Sequence, residues 1–205
     1  MSDTISEPTD LRGPEEHDIR GQIVVAAAEH FRRYGYYKTT VSDLARAIGF
    51  SKAYVYKFFA SKQAIGEVIC GQCLDRLMVE VKEAVHEAER PQEKIRRLFS
   101  TAAKAGLNLW FHDFKLYEIA ASAATENWAP VGRYERQIEA LIEEIVIAGR
   151  QSGAFERKTP LDETTRAINH ALRPYMHPLL LEHNLDRADS APLELASLVL
   201  RSLAP

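Results

Sequence analysis

Apolar residues recur along this chain at spacings of three and four, which is the periodicity of an amphipathic helix. The first such stripe runs through Ile19, Ile23 and Phe31 and stops at Gly35, a residue type that commonly ends helices. Alternating runs joined by a hairpin dipeptide, which would indicate strands, are nearly absent. The pattern therefore predicts an all-α fold whose first helix begins near His17.

Three helical segments follow, each with serine or threonine at its start, and the first two of them are short. The segment Thr40–Asp43 has the form of a capping box and predicts a second helix that ends by Gly49. Ser51 and Ser61 are placed to cap a third and a fourth helix, and the fourth continues to about Val81. Two short helices joined by a tight turn form a helix-turn-helix, whose second helix enters the major groove of DNA.

Proline and glycine divide the remainder of the chain into longer helices. These are predicted over residues 92–110, from Phe114 through Ala121, from Pro130 to near Gly153, from Pro160 to Pro174, and from Pro192 through Leu203. Pro174 is expected to kink or end its helix, because its ring clashes with the preceding turn.

The charge is distributed unevenly, although the chain has a net charge of only -3. Residues 1–16 are rich in proline and acids and are predicted to form a disordered acidic tail. Residues 17–67 contain eight Lys or Arg against four acids, whereas residues 68–205 are slightly acidic. We therefore expect a basic helix-turn-helix domain at 17–67 that contacts nucleic acid, followed by a larger domain at 68–205.

Several other classes of protein are disfavoured. No apolar run approaches the roughly 18 residues of a membrane span, and the acidic start is unlike a signal peptide, so a cytoplasmic protein is expected. There is no phosphate-binding loop, nucleophile elbow or clustered acid, base and nucleophile, so we expect no enzyme, catalytic residue or cofactor.

Two spacings resemble those of metal or redox sites. Cys70 and Cys73 have the C-x-x-C spacing, but they fall within a helix and lack a second pair, so buried packing is favoured over a thiol sensor. His170 and His177 lie seven residues apart, yet Pro174 separates them and no further ligand completes a set. No metal site is predicted.

The stretch GFSKAYVYKFFASK, residues 49–62, carries the candidate DNA contacts. Val55, Phe58 and Phe59 are expected in the core of so small a unit. The polar and basic positions at the starts of helices are placed to contact bases or phosphates. They are Ser51, Lys52, Tyr54, Tyr56 and Lys57 in the recognition helix, with Thr40 and Lys62 at the starts of the flanking helices.

The same residues resemble a known family. The segment YYKTTVSDLA at 36–45, followed by AIGFSK at 47–52 and by Tyr56, Phe59, Ser61 and Lys62, is similar to the DNA-binding domain of the tetracycline-repressor (TetR-like) regulators. The resemblance implies DNA contacts from Thr40, Ser51, Lys52, Ala53, Tyr54, Tyr56 and Lys62. Ala53, Tyr54 and Phe58 depart from the commonest family residues, so the base preference cannot be carried over.

The resemblance also implies a C-terminal domain that dimerises through its last helices and encloses a small-molecule pocket. A homodimer would bind a near-palindromic operator in double-stranded DNA, and the effector would change the spacing of its recognition helices. We expect a repressor released by a mostly apolar or aromatic effector. An activator, or an architectural DNA-binding protein without an effector, remains as an alternative.

Aromatic side chains concentrate in the middle helices, where the family's cavity usually lies. Each of them taken singly is more often a core residue than a ligand contact. The candidate pocket residues are Trp110, Phe111, Phe114, Tyr117, Trp128, Tyr134 and His170, with Asn108, His112 and Arg173 as further polar anchors.

Overall fold

The computed structural model describes residues 16–205, with side chains described from residue 18 onward. Within this range the chain forms ten α-helices and one 3₁₀ helix, and it contains no strand. This confirms the all-α prediction. The predicted acidic tail at 1–16 lies outside the described residues, apart from the backbone of Glu16.

The first four helices follow one another closely, and the fourth is the longest. They are α1 (Glu16–Tyr34), α2 (Val41–Ala47), α3 (Lys52–Phe58) and α4 (Lys62–His86). Side-chain oxygens cap the last three, since Thr40, Ser51 and Ser61 each accept a hydrogen bond from the backbone three residues ahead. These are the caps predicted from the sequence.

Six further α-helices complete the chain. They are α5 (Pro91–His112), α6 (Phe114–Thr125), α7 (Ala129–Gln151), α8 (Leu161–Met176), α9 (Pro178–Leu181) and α10 (Ala191–Ser202), with the 3₁₀ helix Leu185–Arg187 before α10. The starts of α5 and α7 coincide with Pro91 and Pro130, because proline fits the first turn of a helix, where no amide donor is needed.

The segment between α8 and α10 differs most from the prediction. Pro174 lies inside α8, which ends two residues later at Met176. The short α9 and the 3₁₀ helix were not predicted, because four and three residues are too few for a helical periodicity to show.

Two main apolar cores lie along the molecule. The first joins α1–α4 to buried residues of the C-terminal part, including Leu116 and Ile119 of α6 and Trp128 just before α7. The second lies among α4, α5, α7, α8 and α10. Helix α4 contributes Ile65 to the first core and Val81 to the second, and it runs without a break across the predicted domain boundary between residues 67 and 68.

The described residues contain neither a membrane-spanning helix nor a cluster of metal-binding side chains. None of the helices within residues 16–205 combines the length and the apolar character that crossing a membrane requires. The same range holds no group of three or more His, Cys, Asp or Glu side chains placed to bind a metal ion.

Candidate nucleic-acid interface and internal cavity

The helix-turn-helix is formed by α2, α3 and the turn between them. Gly49 has a φ of +73°, a conformation that costs glycine little, and this lets the chain turn sharply after α2. Ser51 accepts a hydrogen bond of 3.1 Å from the amide of Tyr54 and so starts α3. Val55 and Phe59 are buried, which fixes α3 against the rest of the domain.

Most of the predicted contact residues are solvent-accessible. The exposed ones are Thr40, Ser51, Lys52, Ala53, Tyr56 and Lys57, while Tyr54 and Lys62 are half-buried. The structure therefore places all eight at the start of α2, along α3 and at the start of α4. Which of them bind DNA stays a prediction.

The two tyrosines of α3 have different surroundings. Tyr54 packs edge-on against Phe50 and Phe58, with ring centroids 5.0 and 5.3 Å away. Tyr56 is 44% exposed, and the ammonium of Lys52 lies 5.8 Å from its ring centroid. Tyr56 is thus the more accessible of the two for contact with a base or a phosphate.

Thr40 and Asp43 form a reciprocal capping box. The Thr40 hydroxyl donates to Asp43 Oδ2 at 2.6 Å, and the amide of Thr40 donates to the same oxygen at 3.0 Å. These hydrogen bonds, the side-chain one first, lower the pKa of the Asp43 carboxyl. The start of α2 is therefore fixed before any phosphate approaches its amides.

Lys62 takes part in contacts within the protein. Its ammonium donates to the backbone carbonyl of Tyr36 at 2.9 Å and lies 4.3 Å from the centroid of that ring. Burial lowers the pKa of Lys62, and the carboxylate of Glu126 partly opposes this. Because an ammonium has three donors, the bond to Tyr36 leaves others for a phosphate.

An apolar cavity of about 40 Å³ lies between α4, α6, α7 and the junction of α8 with α9. Its lining consists of Cys70, Leu74, Ala120, Ala124, Val131, Tyr134, Glu135, Met176, His177 and Pro178. A second void of about 20 Å³ lies beside it and shares Cys70, Leu74 and Ala120 with the first. Burial raises the pKa of the Cys70 thiol and that of the Tyr134 phenol to about 12, so both groups are neutral at pH 7.

Of the seven predicted pocket residues, Tyr134 lines this cavity and the other six do not. Trp128 is 2% exposed in the first core, where its indole nitrogen donates to Glu126. Phe111 and Phe114 are exposed, whereas Trp110 packs edge-on against Phe114 and Tyr117 beside the α5–α6 junction.

The predicted polar anchors also lie elsewhere. Asn108, His112 and His170 are exposed. Arg173 lines a neighbouring polar cleft of about 180 Å³ between α7 and α8, together with Gly132, Glu135, Arg136, Glu139, Asn169 and Met176. Glu135 and Met176 border both the cleft and the apolar cavity.

The sequence contains a signal for part of the lining that the prediction did not use. Cys70 and Leu74 are four residues apart on α4, and so are Ala120 and Ala124 on α6. Residues four apart share a helix face, and two alanines there leave room between packed helices. No comparable signal marks His177, which lies where α8 ends and α9 begins.

Comparison with family models decides the family. The model described as tetracyclin repressor-like, C-terminal domain, matches residues 91–194, and the model for bacterial regulatory proteins of the tetR family matches residues 23–68. The chain belongs to the tetR family. The resemblance inferred from the sequence is thus confirmed, and this family consists of regulatory proteins, in agreement with the expectation that the chain is not an enzyme.

The matches to individual proteins are more distant. The HTH-type transcriptional repressor KstR2 of Mycobacterium tuberculosis is 30% identical over 86 residues, which are 42% of this chain and 43% of the relative. The HTH-type transcriptional activator FasR of Mycolicibacterium smegmatis is 27% identical over 100 residues, or 49% of this chain and 44% of the relative. The aligned part therefore spans less than half the length of either relative.

The fold of this chain can be compared with that of one solved structure. The transcriptional regulator FadR from Bacillus subtilis, in complex with stearoyl-CoA, superposes with a TM-score of 0.66 at 17% identity. The superposition covers 89% of this chain and 98% of that one. This tetR-family protein thus shares the arrangement of both its parts with FadR.

Proposed function

We propose that the protein is a sequence-specific DNA-binding transcriptional regulator of the cytoplasm. In this proposal a homodimer represses transcription from a near-palindromic operator, and a small, mostly apolar effector releases it. The α2–α3 unit binds DNA, with α3 in the major groove. The internal cavity is the site that senses the effector.

The single observation that carries this proposal is the path of α4. Lys62 stands in the first turn of α4, next to the helix-turn-helix, while Cys70 and Leu74 of the same helix line the cavity. A helix transmits displacement along its length, because its backbone hydrogen bonds make it stiff. A ligand that moves α4 at the cavity therefore also moves the start of α4, which follows the recognition helix in the chain and contacts Tyr36 between α1 and α2.

Contacts between α1 and α6 form a second link between the two parts. Arg32 on α1 donates to Asp113 at 2.7 Å, and Asp113 in turn caps the start of α6. The hydroxyls of Tyr37 and Ser122 lie 2.7 Å apart, which joins the α1–α2 connection to α6. Since α6 lines the cavity through Ala120 and Ala124, a ligand that displaces α6 would also displace α1 through these contacts.

The size of the cavity bears on how the effector acts. A void of about 150 Å³ is the scale that holds benzene. The 40 Å³ and 20 Å³ voids are smaller than this, so an effector of even that size requires α4, α6 and α7 to separate. The effector thus selects an expanded state, and by linkage DNA weakens effector binding by the same factor.

The C-terminal helices supply apolar surface for a homodimer. Leu193 and Leu198 on α10 are 47% and 55% exposed in the single chain. Exposed leucines on one helix favour burial against a second copy, and twofold symmetry would place two recognition helices about one turn of DNA apart. This supports dimerisation through the C-terminal helices.

The decisive experiment is a selection of fragments of the source genome by purified, effector-free protein. A few discrete sites sharing a near-palindrome are expected. Enrichment without a shared site would instead support the architectural alternative. Because FasR is named an activator and KstR2 a repressor, in vitro transcription from a recovered promoter decides the sign of regulation.

A further inference from the structure

We propose that His177 is the hydrogen-bonding anchor of the internal cavity, and that the ligand it selects is an apolar molecule carrying one uncharged oxygen function, a hydroxyl or a ketone. The inference rests on the proposed function in one respect, because it assigns the effector to this cavity. It adds the residue that orients the effector and the chemical class of the group it binds.

The first observation is an unpartnered nitrogen. Nδ1 of His177 is buried and has no hydrogen-bond partner in the structure. Buried polar atoms are nearly always hydrogen-bonded, since an unsatisfied one loses its contact with water without compensation. His177 is one of the residues that line the apolar cavity, so a ligand that expands the cavity can supply the partner that this atom lacks.

The second observation is that the backbone of His177 is held on both sides. Its amide donates to the carbonyl of Arg173 at 3.0 Å, and its carbonyl accepts from the amides of Leu180 and Leu181. The next residue, Pro178, accepts a hydrogen bond from the Tyr117 hydroxyl of α6. The backbone is thus fixed at the end of α8 and the start of α9, so the side chain of His177 starts from a defined position beside the cavity before a ligand binds.

The charges around His177 favour an uncharged ligand group. Burial first, and the guanidinium of Arg173 second, lower the pKa of His177, while Glu135 opposes them, so the ring is neutral at pH 7. A neutral imidazole carries one donor and one acceptor, and it therefore suits a hydroxyl or a carbonyl oxygen.

The neighbouring cleft offers no net charge to a charged headgroup. It contains two arginines, Arg136 and Arg173, and two acids, Glu135 and Glu139. Arg173 already lies 3.7 Å from Glu135. An anion would have to compete with the acids and a cation with the arginines, whereas a neutral group displaces no charge.

The rest of the cavity surface determines the body of the ligand. Apart from His177, Glu135, Tyr134 and the neutral thiol of Cys70, the lining side chains are aliphatic or thioether. Burial of apolar surface would therefore supply most of the binding free energy. The single hydrogen bond to His177 would supply orientation and selectivity.

The test uses the full-length protein and four probes with one eight-carbon skeleton: 1-octanol, 2-octanone, octanoate and octylamine. Binding is measured at pH 7.5 by titration calorimetry. We expect the two uncharged probes to bind at least about tenfold more tightly than the two ions. Tighter binding of octanoate or octylamine, or no binding by any of the four, would overturn the inference.

Variants of His177 separate the anchor from the cavity as a whole. His177→Leu should weaken 1-octanol binding about tenfold, whereas His177→Gln, which keeps a donor and an acceptor, should recover part of it. His170→Gln changes an exposed histidine of α8 outside the cavity and serves as the control. Circular dichroism of each variant establishes that it is folded, and unchanged octanol binding by folded His177→Leu rejects the anchor.

A separate measurement distinguishes this inference from the proposed function. The affinity for a recovered operator fragment is compared with and without saturating 1-octanol. If octanol binds through His177 and the operator affinity is unchanged, that result supports His177 as the anchor and contradicts the proposal that a ligand in this cavity releases DNA. If octanol binds equally to wild type and His177→Leu yet releases DNA, release of DNA by a ligand in this cavity is supported and the role of His177 as anchor is contradicted.

Discussion

Gly66 of α4 lies directly against the indole ring of Trp128, so closely that a β-carbon at residue 66 would be 2.8 Å from Cη2 of Trp128. The same β-carbon would be 3.1 Å from Cε2 of Tyr36. Glycine at this position therefore lets α4 pack against both the residue that precedes α7 and the connection between α1 and α2. This contact joins the helix-turn-helix part to the cavity part.

Gly66→Ala should destabilise the protein, although alanine is the better helix former. The intrinsic gain of about 1 kcal/mol is smaller than the cost of displacing two packed aromatic rings, which overpacking places at about 1–3 kcal/mol. Urea unfolding measures the net change. Gly21→Ala on α1 is the matched control, because its β-carbon would meet nothing within 4 Å, and it should stabilise the protein.

The sequence was sufficient to predict most of the fold, because its signals are local. Capping residues such as Ser51 and Ser61 and the prolines at the starts of α5 and α7 mark helix ends independently of tertiary structure. The same local signals placed the candidate recognition helix.

The lining of the cavity could not be predicted in the same way. A stripe of apolar residues shows that a helix face is buried, but not whether it meets another helix or a void. Trp128 illustrates this, since its partners Gly66 and Tyr36 are distant in sequence and place the indole in the first core. His177 carries no periodic signal, because it lies between two helices.

Lys62→Ala should weaken both the fold and DNA binding. Loss of the hydrogen bond to the Tyr36 carbonyl should lower the free energy of unfolding by about 1 kcal/mol. Loss of a phosphate contact should reduce the slope of log affinity against log salt by about one. Urea unfolding and operator binding at several salt concentrations measure the two effects.

Lys82→Ala is the control for this variant, since Lys82 is an exposed lysine near the other end of α4. Lys82→Ala should change neither the free energy of unfolding nor the salt slope of operator binding. An unchanged salt slope with folded Lys62→Ala would mean that this ammonium serves only the contact with Tyr36.

The contribution of His177 to stability should depend on pH. Because the folded state lowers its pKa below the ordinary value of 6.5, the unfolded chain binds a proton more readily as the pH falls. The contribution is therefore complete above pH 6.5 and is lost as the pH falls below that value. The free energy of unfolding is measured with urea at pH 7.5 and 5.5, at one protein concentration. It should decrease less between these two pH values for His177→Gln than for wild type.

His170→Gln is again the appropriate comparison, because it removes an exposed histidine from the same helix. Its loss of stability between the two pH values should match that of the wild type. If the free energy of unfolding decreased equally in His177→Gln and wild type, protonation of His177 would not contribute to the loss of stability at low pH.

The two thiols should react slowly in the folded protein. Burial raises the pKa of Cys70 to about 12 and also raises that of Cys73, so little of the reactive thiolate forms at pH 8. Reaction with a chromogenic disulfide at pH 8 should be many times slower in buffer than in guanidinium chloride, where both thiols should react. Rapid native reaction accompanied by loss of operator binding would favour the thiol-sensor alternative.

Leu74→Ala should join the two voids into one larger cavity, because Leu74 borders both of them. Removing a partly buried leucine from this position should cost about 2 kcal/mol, at the low end of core truncations. The enlarged apolar cavity should then bind benzene, so that saturating benzene raises the thermal midpoint of Leu74→Ala more than that of wild type. Val79→Ala, a truncation at a 54% exposed position of α4, should lose little stability and gain no response to benzene. If benzene raised the midpoint of all three proteins equally, the ligand would be binding outside this cavity, and Leu74 would not be the side chain that separates the two voids.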